Sequence, residues 1–219
     1  MRFYRRSPGR PRRLGVLAGS FNPPTVAHAE LAYAAQFHVD QVLFVVPSIL
    51  PHKQYFGATL EQRLELLDRA DLATGYGIAT SEQGLFIDIA RDCRAHFGSQ
   101  TRLYFVCGRD AAERILAWDY GRAGVVEEML REFELLVAPR GGDFQAPSEF
   151  RQRIHPLEIR PLEIREQWSD VSSTEVRERI QRGEPWEPGQ RRPRVLGALG
   201  EPKTRIDEDA PGIDAVFDE

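Results

Sequence analysis

Residues 14–28 read LGVLAGSFNPPTVAH and combine three structural signals in one short segment. The segment begins with the compact apolar run Leu14–Ala18, which is typical of a buried strand. Gly19 and two prolines follow, and then comes Thr25, a residue type that commonly caps a helix. The pattern therefore predicts a buried strand, a stiff loop and the start of a helix, in that order.

Short apolar runs and helical patterns continue to alternate along the chain. Further strands are predicted at Gln41–Val46, Gly77–Thr80, Arg102–Cys107, Glu134–Ala138 and Leu157–Ile164. Helices are predicted at Ala27–Phe37, Thr59–Ala73, Ile87–Phe97, Ala111–Leu116, Val125–Glu132 and Ser173–Gln181. This alternation predicts a doubly wound α/β fold with a mostly parallel sheet and helices on both faces. In such a sheet, ligands bind beyond the carboxyl ends of the strands.

Composition excludes several classes of protein. The chain has 219 residues, of which 42% are hydrophobic and 28% charged, the balance of a globular domain. Its longest apolar runs stop far short of the roughly 18 residues of a membrane span. Two cysteines, Cys93 and Cys107, are too few for a disulfide framework or a four-ligand zinc site. We interpret them as buried thiols in a cytoplasmic enzyme.

Charge divides the chain into three parts. Residues 1–13 contain six arginines and no acidic residue, which predicts a basic flexible tail, with weak contact to an anion or partner as the alternative. Residues 201–219 contain seven acidic residues against Lys203 and Arg205, which predicts a disordered acidic tail. Residues 14–200 are expected to form one domain. Because that domain is mildly acidic, we expect no nucleic-acid partner.

The loop after the first strand has the features of a phosphate site. Gly19 permits close approach of a ligand to the backbone, and Thr25 places His28 in the first turn of the helix. Helical side chains lean toward the helix N-terminus, so the His28 imidazole points back toward exposed amides that suit an anion. A capped helix with a surface histidine is the alternative. No Gly-Lys-Ser/Thr triplet follows, so this is not a Walker P-loop.

A second motif, VSSTEVR, ends at Arg177. Ser172 and Glu175 alone make an ordinary capping box at a helix start. However, that box does not explain Arg177, because a cation early in a helix opposes the helix dipole. An anion bound by Ser173, Thr174 and Arg177 would remove the conflict.

Taken together, the two motifs resemble the two signatures of the HxGH-type nucleotidyltransferases. The Asn22-Pro23 pair is most similar to the nicotinate or nicotinamide mononucleotide adenylyltransferases of that superfamily. Two departures are visible: Ala27 replaces a common glycine, and Thr25 stands where many bacterial members have a histidine. The resemblance covers about residues 14–199 and implies a Rossmann-like fold. It also implies adenylyl transfer from ATP to a pyridine mononucleotide, with release of pyrophosphate, as a step of NAD biosynthesis.

The resemblance assigns roles to individual residues. Its implied catalytic residues are His28, Thr25 and Arg177. Its implied ATP-binding residues are Gly19, Ser20, Phe21, His28, Gly108, Asp110, Ser173, Thr174 and Arg177. Its implied acceptor-binding residues are Asn22, His52, Lys53, Trp118 and Arg140. No residue is assigned to a metal, because no carboxylate cluster is visible, and Mg²⁺ is expected to arrive on the ATP phosphates.

Several of these assignments have plain alternatives. His52 and Lys53 are also typical of a solvated loop. Trp118 could equally be a tryptophan that packs in the core. Arg109 replaces the alanine of the family's Gly-Ala-Asp element, and Phe86 stands where bacterial members tend to carry threonine. A nucleotidyltransferase with another phosphate acceptor, such as pantetheine phosphate or a sugar or polyol phosphate, therefore stays open, as does a non-catalytic nucleotide-binding regulator. The sequence does not decide whether the acceptor carries nicotinate or nicotinamide. It also does not decide whether the chain forms a homo-oligomer.

Overall fold

The computed structural model describes residues 1–49, 58–70, 76–139, 144–158, 173–174, 177–178 and 182. Its strands are β1 (Arg2–Arg5), β2 (Arg13–Ala18), β3 (Gln41–Pro47), β4 (Tyr76–Ser81), β5 (Arg102–Gly108), β6 (Glu134–Ala138) and β7 (Ile154–Pro156). Its α-helices are α1 (Val26–Ala35), α2 (Leu60–Arg69), α3 (Phe86–Phe97), α4 (Arg109–Ala117) and α5 (Val125–Glu132), and a 3-10 turn covers Ser148–Phe150.

All the described strands join one sheet in the order β1-β4-β3-β2-β5-β6-β7. Every pairing is parallel except that of β1 with β4, which is antiparallel. The order reverses direction at β2, because β3 and β5 lie on its two sides. The predicted doubly wound α/β fold is confirmed.

The sheet separates two layers of core side chains. Along β2 and β3, Leu14 and Leu43 pack into one cluster, whereas Leu17 and Phe44 pack into the other. Neighbouring residues of a strand point to opposite faces, so the continuous apolar runs in the sequence reflect burial on both sides. None of the described helices is long and apolar enough to cross a membrane.

The arginine-rich N-terminal segment differs from its prediction. Arg2–Arg5 form β1 and pair with β4, so this part of residues 1–13 belongs to the folded domain and is not a flexible tail. The guanidinium of Arg5 donates to the Tyr76 carbonyl at 3.1 Å and pairs with Asp68 at 3.1 Å. The charged composition of this segment did not indicate a strand, because the partners of Arg5 lie on β4 and α2, far away in the sequence.

Two predicted elements at the other end of the chain are only partly described. The prediction of a strand at Leu157–Ile164 is wrong for its two described residues, 157 and 158, because β7 ends at Pro156. A polar histidine and a proline inside β7 hid it from the apolar pattern. Of the helix predicted at Ser173–Gln181, the four described residues Ser173, Thr174, Arg177 and Glu178 are helical. Residues 159–172 and 183–219 lie outside the described part.

Both cysteines are buried, as the sequence predicted. Burial raises the pKa of the Cys93 thiol to about 12, and it raises the pKa of Cys107 to about 12 as well. A thiol with so high a pKa stays protonated and unreactive near neutral pH.

Candidate active site

The loop that leaves the carboxyl end of β2 is fixed by packing and by a backbone hydrogen bond. The Gly19 amide donates to the Val45 carbonyl at 3.1 Å. A Cβ atom on Gly19 would lie 3.3 Å from the Phe21 ring, tighter than ordinary van der Waals contact, so the glycine fits closely here. Phe21 itself has a positive φ of 49° and is 1% exposed. The buried ring therefore anchors the loop, and only the Phe21 backbone can face a ligand.

His28 and Thr25 form a capping box at the start of α1. The backbone amide of Thr25 donates to Nδ1 of His28 at 3.0 Å, and the Thr25 hydroxyl lies 2.8 Å from the same nitrogen. Because Nδ1 accepts a hydrogen bond from the Thr25 amide, the neutral ring carries its proton on Nε2. The imidazole is further oriented by Phe21, whose ring centroid lies 5.1 Å away in an edge-on contact. His28 is thus held in a tautomer that donates from Nε2.

The two sequence motifs meet in space. Arg177 Nη1 donates to the Asn22 carbonyl at 2.6 Å, and the Ser173 hydroxyl donates to the Pro23 carbonyl at 2.8 Å. A second nitrogen of Arg177 donates to the Thr174 hydroxyl at 3.2 Å. These bonds hold the second motif against the loop between β2 and α1, across about 150 residues of sequence.

Arg63 of α2 is a further member of the site that the sequence analysis did not identify. Only 3% of this arginine is exposed, and its Nη1 donates to the Ser20 carbonyl at 3.4 Å. Its Nε also donates to the Thr59 carbonyl at 3.3 Å. The sequence does contain a signal for this residue. Arg63 follows Leu60 by three residues, so it places a charge on the apolar face of an amphipathic helix, where a buried partner is needed.

The end of β5 supplies a second part of the site. Gly108 caps α4, and no atom lies within 4 Å of where its Cβ would be, so the space above it is open. Asp110 in the first turn of α4 is exposed, and Arg109 lies between the carboxylates of Asp110 and Glu113, at 3.7 and 3.6 Å. Trp118 ends the same helix with 39% of its surface exposed. Because β2 and β5 are parallel neighbours, this group and His28 lie at the same edge of the sheet.

The other assigned residues divide into buried and undescribed ones. Asn22 is 4% exposed, and its peptide bond to Pro23 is cis. His52, Lys53 and Arg140 lie outside the described residues, so their assignments stay predictions. Within the part of the chain that the structure describes, no group of three or more His, Cys, Asp or Glu side chains could hold a metal ion.

With this geometry in place, comparison with known proteins identifies the family. The family model described as cytidylyltransferase-like matches residues 16–179, from β2 to the helical residues around Arg177. The chain belongs to this family. The match begins after β1 and includes both motifs that meet at the loop.

Named relatives agree on a narrower group within the family. The chain is 31% identical over 194 residues to the probable nicotinate-nucleotide adenylyltransferase of Moorella thermoacetica, covering 80% of this chain and 84% of the relative. It is also 31% identical over 179 residues to a protein of the same name from Thermus thermophilus, covering 78% of this chain and 88% of that relative. The resemblance found in the sequence is therefore confirmed.

A solved structure confirms the fold independently. Nicotinic acid mononucleotide adenylyltransferase of Plasmodium falciparum, complexed with NaAD, aligns with a TM-score of 0.56 over 76% of this chain and 82% of its own. Its sequence identity to this chain is 17%, so this likeness concerns the fold alone.

One departure from the family pattern has a structural explanation. Phe86, at the position where the resemblance implied a threonine, stacks on Phe105 with ring centroids 4.5 Å apart and an interplanar angle of 23°. It also contacts Phe133 edge-on at 6.4 Å. At this position the cytidylyltransferase-like chain therefore has an aromatic side chain that packs against the core, where the family pattern would place a hydroxyl.

Proposed function

We propose that this protein transfers the adenylyl group of ATP to nicotinate mononucleotide and releases pyrophosphate. The observation that carries the proposal is the pair of hydrogen bonds from Arg177 and Ser173 to the loop before α1. They bring the two phosphate motifs together at the carboxyl end of β2, where a doubly wound sheet binds its ligands. The names of the relatives favour nicotinate over nicotinamide as the acceptor base.

The chemistry is an in-line displacement at phosphorus. An oxygen of the mononucleotide phosphate attacks the α-phosphorus of ATP, and a new P–O bond forms. The bond from that phosphorus to the bridging oxygen of the β-phosphate breaks, and its electron pair leaves with pyrophosphate. No covalent enzyme intermediate is required, since the acceptor phosphate is itself the nucleophile. Positioning and charge stabilisation are then the protein's main contributions.

In this proposal the first motif holds the transferred phosphate. Nε2 of His28 donates to a phosphate oxygen, and Thr25 keeps the imidazole in the tautomer that can do so. Backbone amides of Ser20 and Phe21, together with the N-terminus of α1, supply further donors to the ATP phosphates, whereas the Gly19 amide is held by the Val45 carbonyl and Gly19 contributes close backbone approach.

The second motif holds the leaving group. Arg177 and Ser173 donate to the loop, and Thr174 accepts from Arg177. In this proposal the Arg177 guanidinium binds the leaving pyrophosphate. The described polar side chains here are a cation and two hydroxyls, which suit phosphate oxygens. We therefore place Mg²⁺ on the ATP phosphates and water, the environment this ion prefers.

The remaining residues are proposed to bind the two nucleosides. Gly108 leaves room for the adenosine ribose, and exposed Asp110 can accept from its hydroxyl groups. Trp118 is exposed enough to stack on the pyridine ring. Acceptor roles for Asn22, His52, Lys53 and Arg140 are proposed from the family resemblance.

A panel of acceptors tests the proposal. Purified protein is mixed with Mg²⁺-ATP and, separately, nicotinate mononucleotide, nicotinamide mononucleotide, pantetheine phosphate and a polyol phosphate, and pyrophosphate is followed. We expect the highest kcat/KM with nicotinate mononucleotide and a dinucleotide product of matching mass. Turnover only with another acceptor would overturn the acceptor assignment. ATP binding without turnover on any acceptor would make the protein a nucleotide-binding regulator.

A further inference from the structure

A cavity of about 210 Å³ opens at the amino end of the sheet. It lies between residues 6–10 and the first residues of β2, β3 and β4, with His96 and Phe97 of α3 completing its wall. The strands of β2, β3 and β4 are parallel, so this cavity and the loop that holds His28 lie at opposite ends of the same strands. We call it the amino-end pocket.

The floor of the amino-end pocket is apolar and its rim is basic. Its apolar surface comes from the partly buried rings of Phe3 and Phe97, and the nearly fully buried Leu14 and Leu43 close its base. Arg6, Arg10 and His96 stand at the rim. A floor of this kind favours the apolar body of a ligand, while guanidinium groups bind carboxylates through two parallel hydrogen bonds.

The loop that forms one wall is anchored to the domain. The carboxylate of Asp40 accepts from the backbone amides of Arg12 and Arg13 at 3.0 and 2.9 Å. The Thr101 hydroxyl donates to the Pro11 carbonyl at 3.0 Å, and the side-chain amide of Gln41 donates to the carbonyl of Pro8. These bonds tie the loop to the segments before β3 and β5, so the pocket is part of the fold.

The charges that face His96 are positive. Nη1 of Arg6 lies 3.4 Å from Nε2 of His96, and the Arg6 guanidinium lies 4.6 Å from the centre of the Phe3 ring. Partial burial lowers the pKa of His96, and the positive charges of Arg6, the N-terminal amino group and Arg10 lower it further. The N-terminal amino group is already paired with Asp92 at 3.6 Å, so an anion bound in the pocket would be stabilised by Arg6 and Arg10.

We propose that the amino-end pocket binds a small organic carboxylate with a body the size of a single ring. Its volume of about 210 Å³ is below the roughly 300–1,000 Å³ of sites for drug-sized ligands, which favours a ligand body of one ring. The carboxylate lies against Arg6 and Arg10, and the ring lies against Phe3 and Phe97. The site is separate from the proposed adenylyl-transfer site, and binding there can be measured without any turnover.

Benzoate is the test ligand, and the ring protons of His96 are the reporter in NMR titrations of the full chain. A spectrum of His96→Gln assigns the signal. We expect a saturable shift with benzoate and a rise in the pKa of His96, since the bound anion stabilises the imidazolium ion. Benzyl alcohol, which has the ring without the charge, and inorganic phosphate, which has charge without the ring, should bind at least about tenfold more weakly.

Charge variants locate the site. Arg6→Gln combined with Arg10→Gln should weaken benzoate at least about tenfold, because charge-assisted hydrogen bonds to the carboxylate are lost. Arg2→Gln is the matched control, because Arg2 is exposed on the same N-terminal segment but does not line the pocket. Equal binding of benzoate and benzyl alcohol to the unaltered protein, or phosphate binding as tight as benzoate, would overturn the proposal. So would unchanged benzoate affinity in the double variant.

Discussion

At the scale of single residues, His28 has two tasks that different substitutions can separate. Its Nδ1 accepts the Thr25 amide and so stabilises the start of α1. Its Nε2 is the proposed donor to the transferred phosphate. Glutamine at the third position of a helix can also accept from the capping residue's amide, whereas alanine cannot.

We expect both His28→Gln and His28→Ala to lower kcat by roughly 10²–10³, the usual loss for one transition-state donor. Only His28→Ala should also destabilise the fold, by about 0.5–1 kcal/mol, because the Thr25 amide loses its partner. Steady-state kinetics and urea unfolding of the two variants measure the effects separately. Normal kcat in the glutamine variant would show that the imidazole does not act on the reaction.

Arg177 offers a second test at this scale. Arg177→Ala removes the donor to the Asn22 carbonyl and the cation proposed for pyrophosphate. We expect a higher KM for ATP together with a lower kcat, because both the loop position and the leaving-group charge are affected. Glu178→Gln is the matched control, since Glu178 is the exposed next residue. Large destabilisation with normal ATP affinity would instead give Arg177 a purely structural role.

Substitutions of Trp118 test the proposed binding site of the acceptor. Because 39% of the residue is exposed, Trp118→Ala should destabilise the fold less than the roughly 3–5 kcal/mol typical of truncating a fully buried tryptophan. If the indole stacks on the pyridine, the same change should weaken the acceptor by roughly 1–3 kcal/mol, the range for aromatic stacking on nucleobases. Trp118→Phe should restore most of that affinity, and ATP binding should stay the same in both variants. Calorimetric titration measures the affinity of each variant for the acceptor. An unchanged affinity in Trp118→Ala would contradict the proposed contact with the pyridine ring.

At the scale of elements, α2 positions the phosphate loop through one buried arginine. Arg63 connects the Thr59 and Ser20 carbonyls, so it fixes the start of α2 against the segment that follows β2. It acts through the loop and is therefore a positioning residue.

We expect Arg63→Lys to lower kcat/KM for ATP about tenfold or more, because lysine keeps the charge but cannot span both carbonyls. Arg69→Lys on the same helix is the control: Arg69 pairs with Glu65 at the surface, and such changes alter stability by about 0.5 kcal/mol or less. A structural role alone would lower the midpoint of urea unfolding and leave KM for ATP unchanged. That result would contradict the proposed positioning of the loop.

Elements also show why the sequence predicted some features and not others. The central strands β2, β3, β5 and β6 were predictable because burial on both faces leaves continuous apolar runs. By contrast, β1 and β7 carry arginine, histidine and proline, and their strand structure depends on neighbours distant in sequence.

The candidate site was predictable to a similar extent. Local chemistry identified His28 and Arg177, since each sits in a motif with its own physical logic. The hydrogen bonds that join the two motifs, and the place of Arg63 beneath Ser20, follow only from the folded sheet.

At the scale of the whole molecule, a buried carboxylate links three strands at the amino end of the sheet. Glu134 of β6 accepts from Arg102 of β5 at 2.7 Å and lies 2.6 Å from Nε2 of His155 on β7. Burial alone would raise the pKa of Glu134, but hydrogen bonds and charge from Arg102 and His155 outweigh it and lower the pKa.

A carboxyl group whose pKa is lower in the folded state stabilises the fold above its unfolded pKa. That contribution is lost as the pH falls through the folded value. We therefore expect Glu134→Gln to be less stable than the unaltered protein at pH 7, with the difference shrinking as the pH falls below about 4.3, the ordinary pKa of glutamate. Urea unfolding at several pH values measures the difference in unfolding free energy between the two proteins. A difference independent of pH would contradict a stabilising role for the charged Glu134 carboxylate.

The antiparallel strand β1 has a consequence for how copies of the molecule behave toward one another. Without it, β4 would end the sheet with a row of open backbone donors and acceptors, which invites pairing with another chain. β1 covers that row, and a register shift between Phe3 and Arg5 interrupts its regular pairing. Arg2 adds an exposed positive charge to β1, whereas Arg5 is paired with Asp68. We therefore expect the N-terminal segment, which precedes the family match, to limit edge-to-edge association of molecules at high protein concentration, an effect on solubility and not on catalysis.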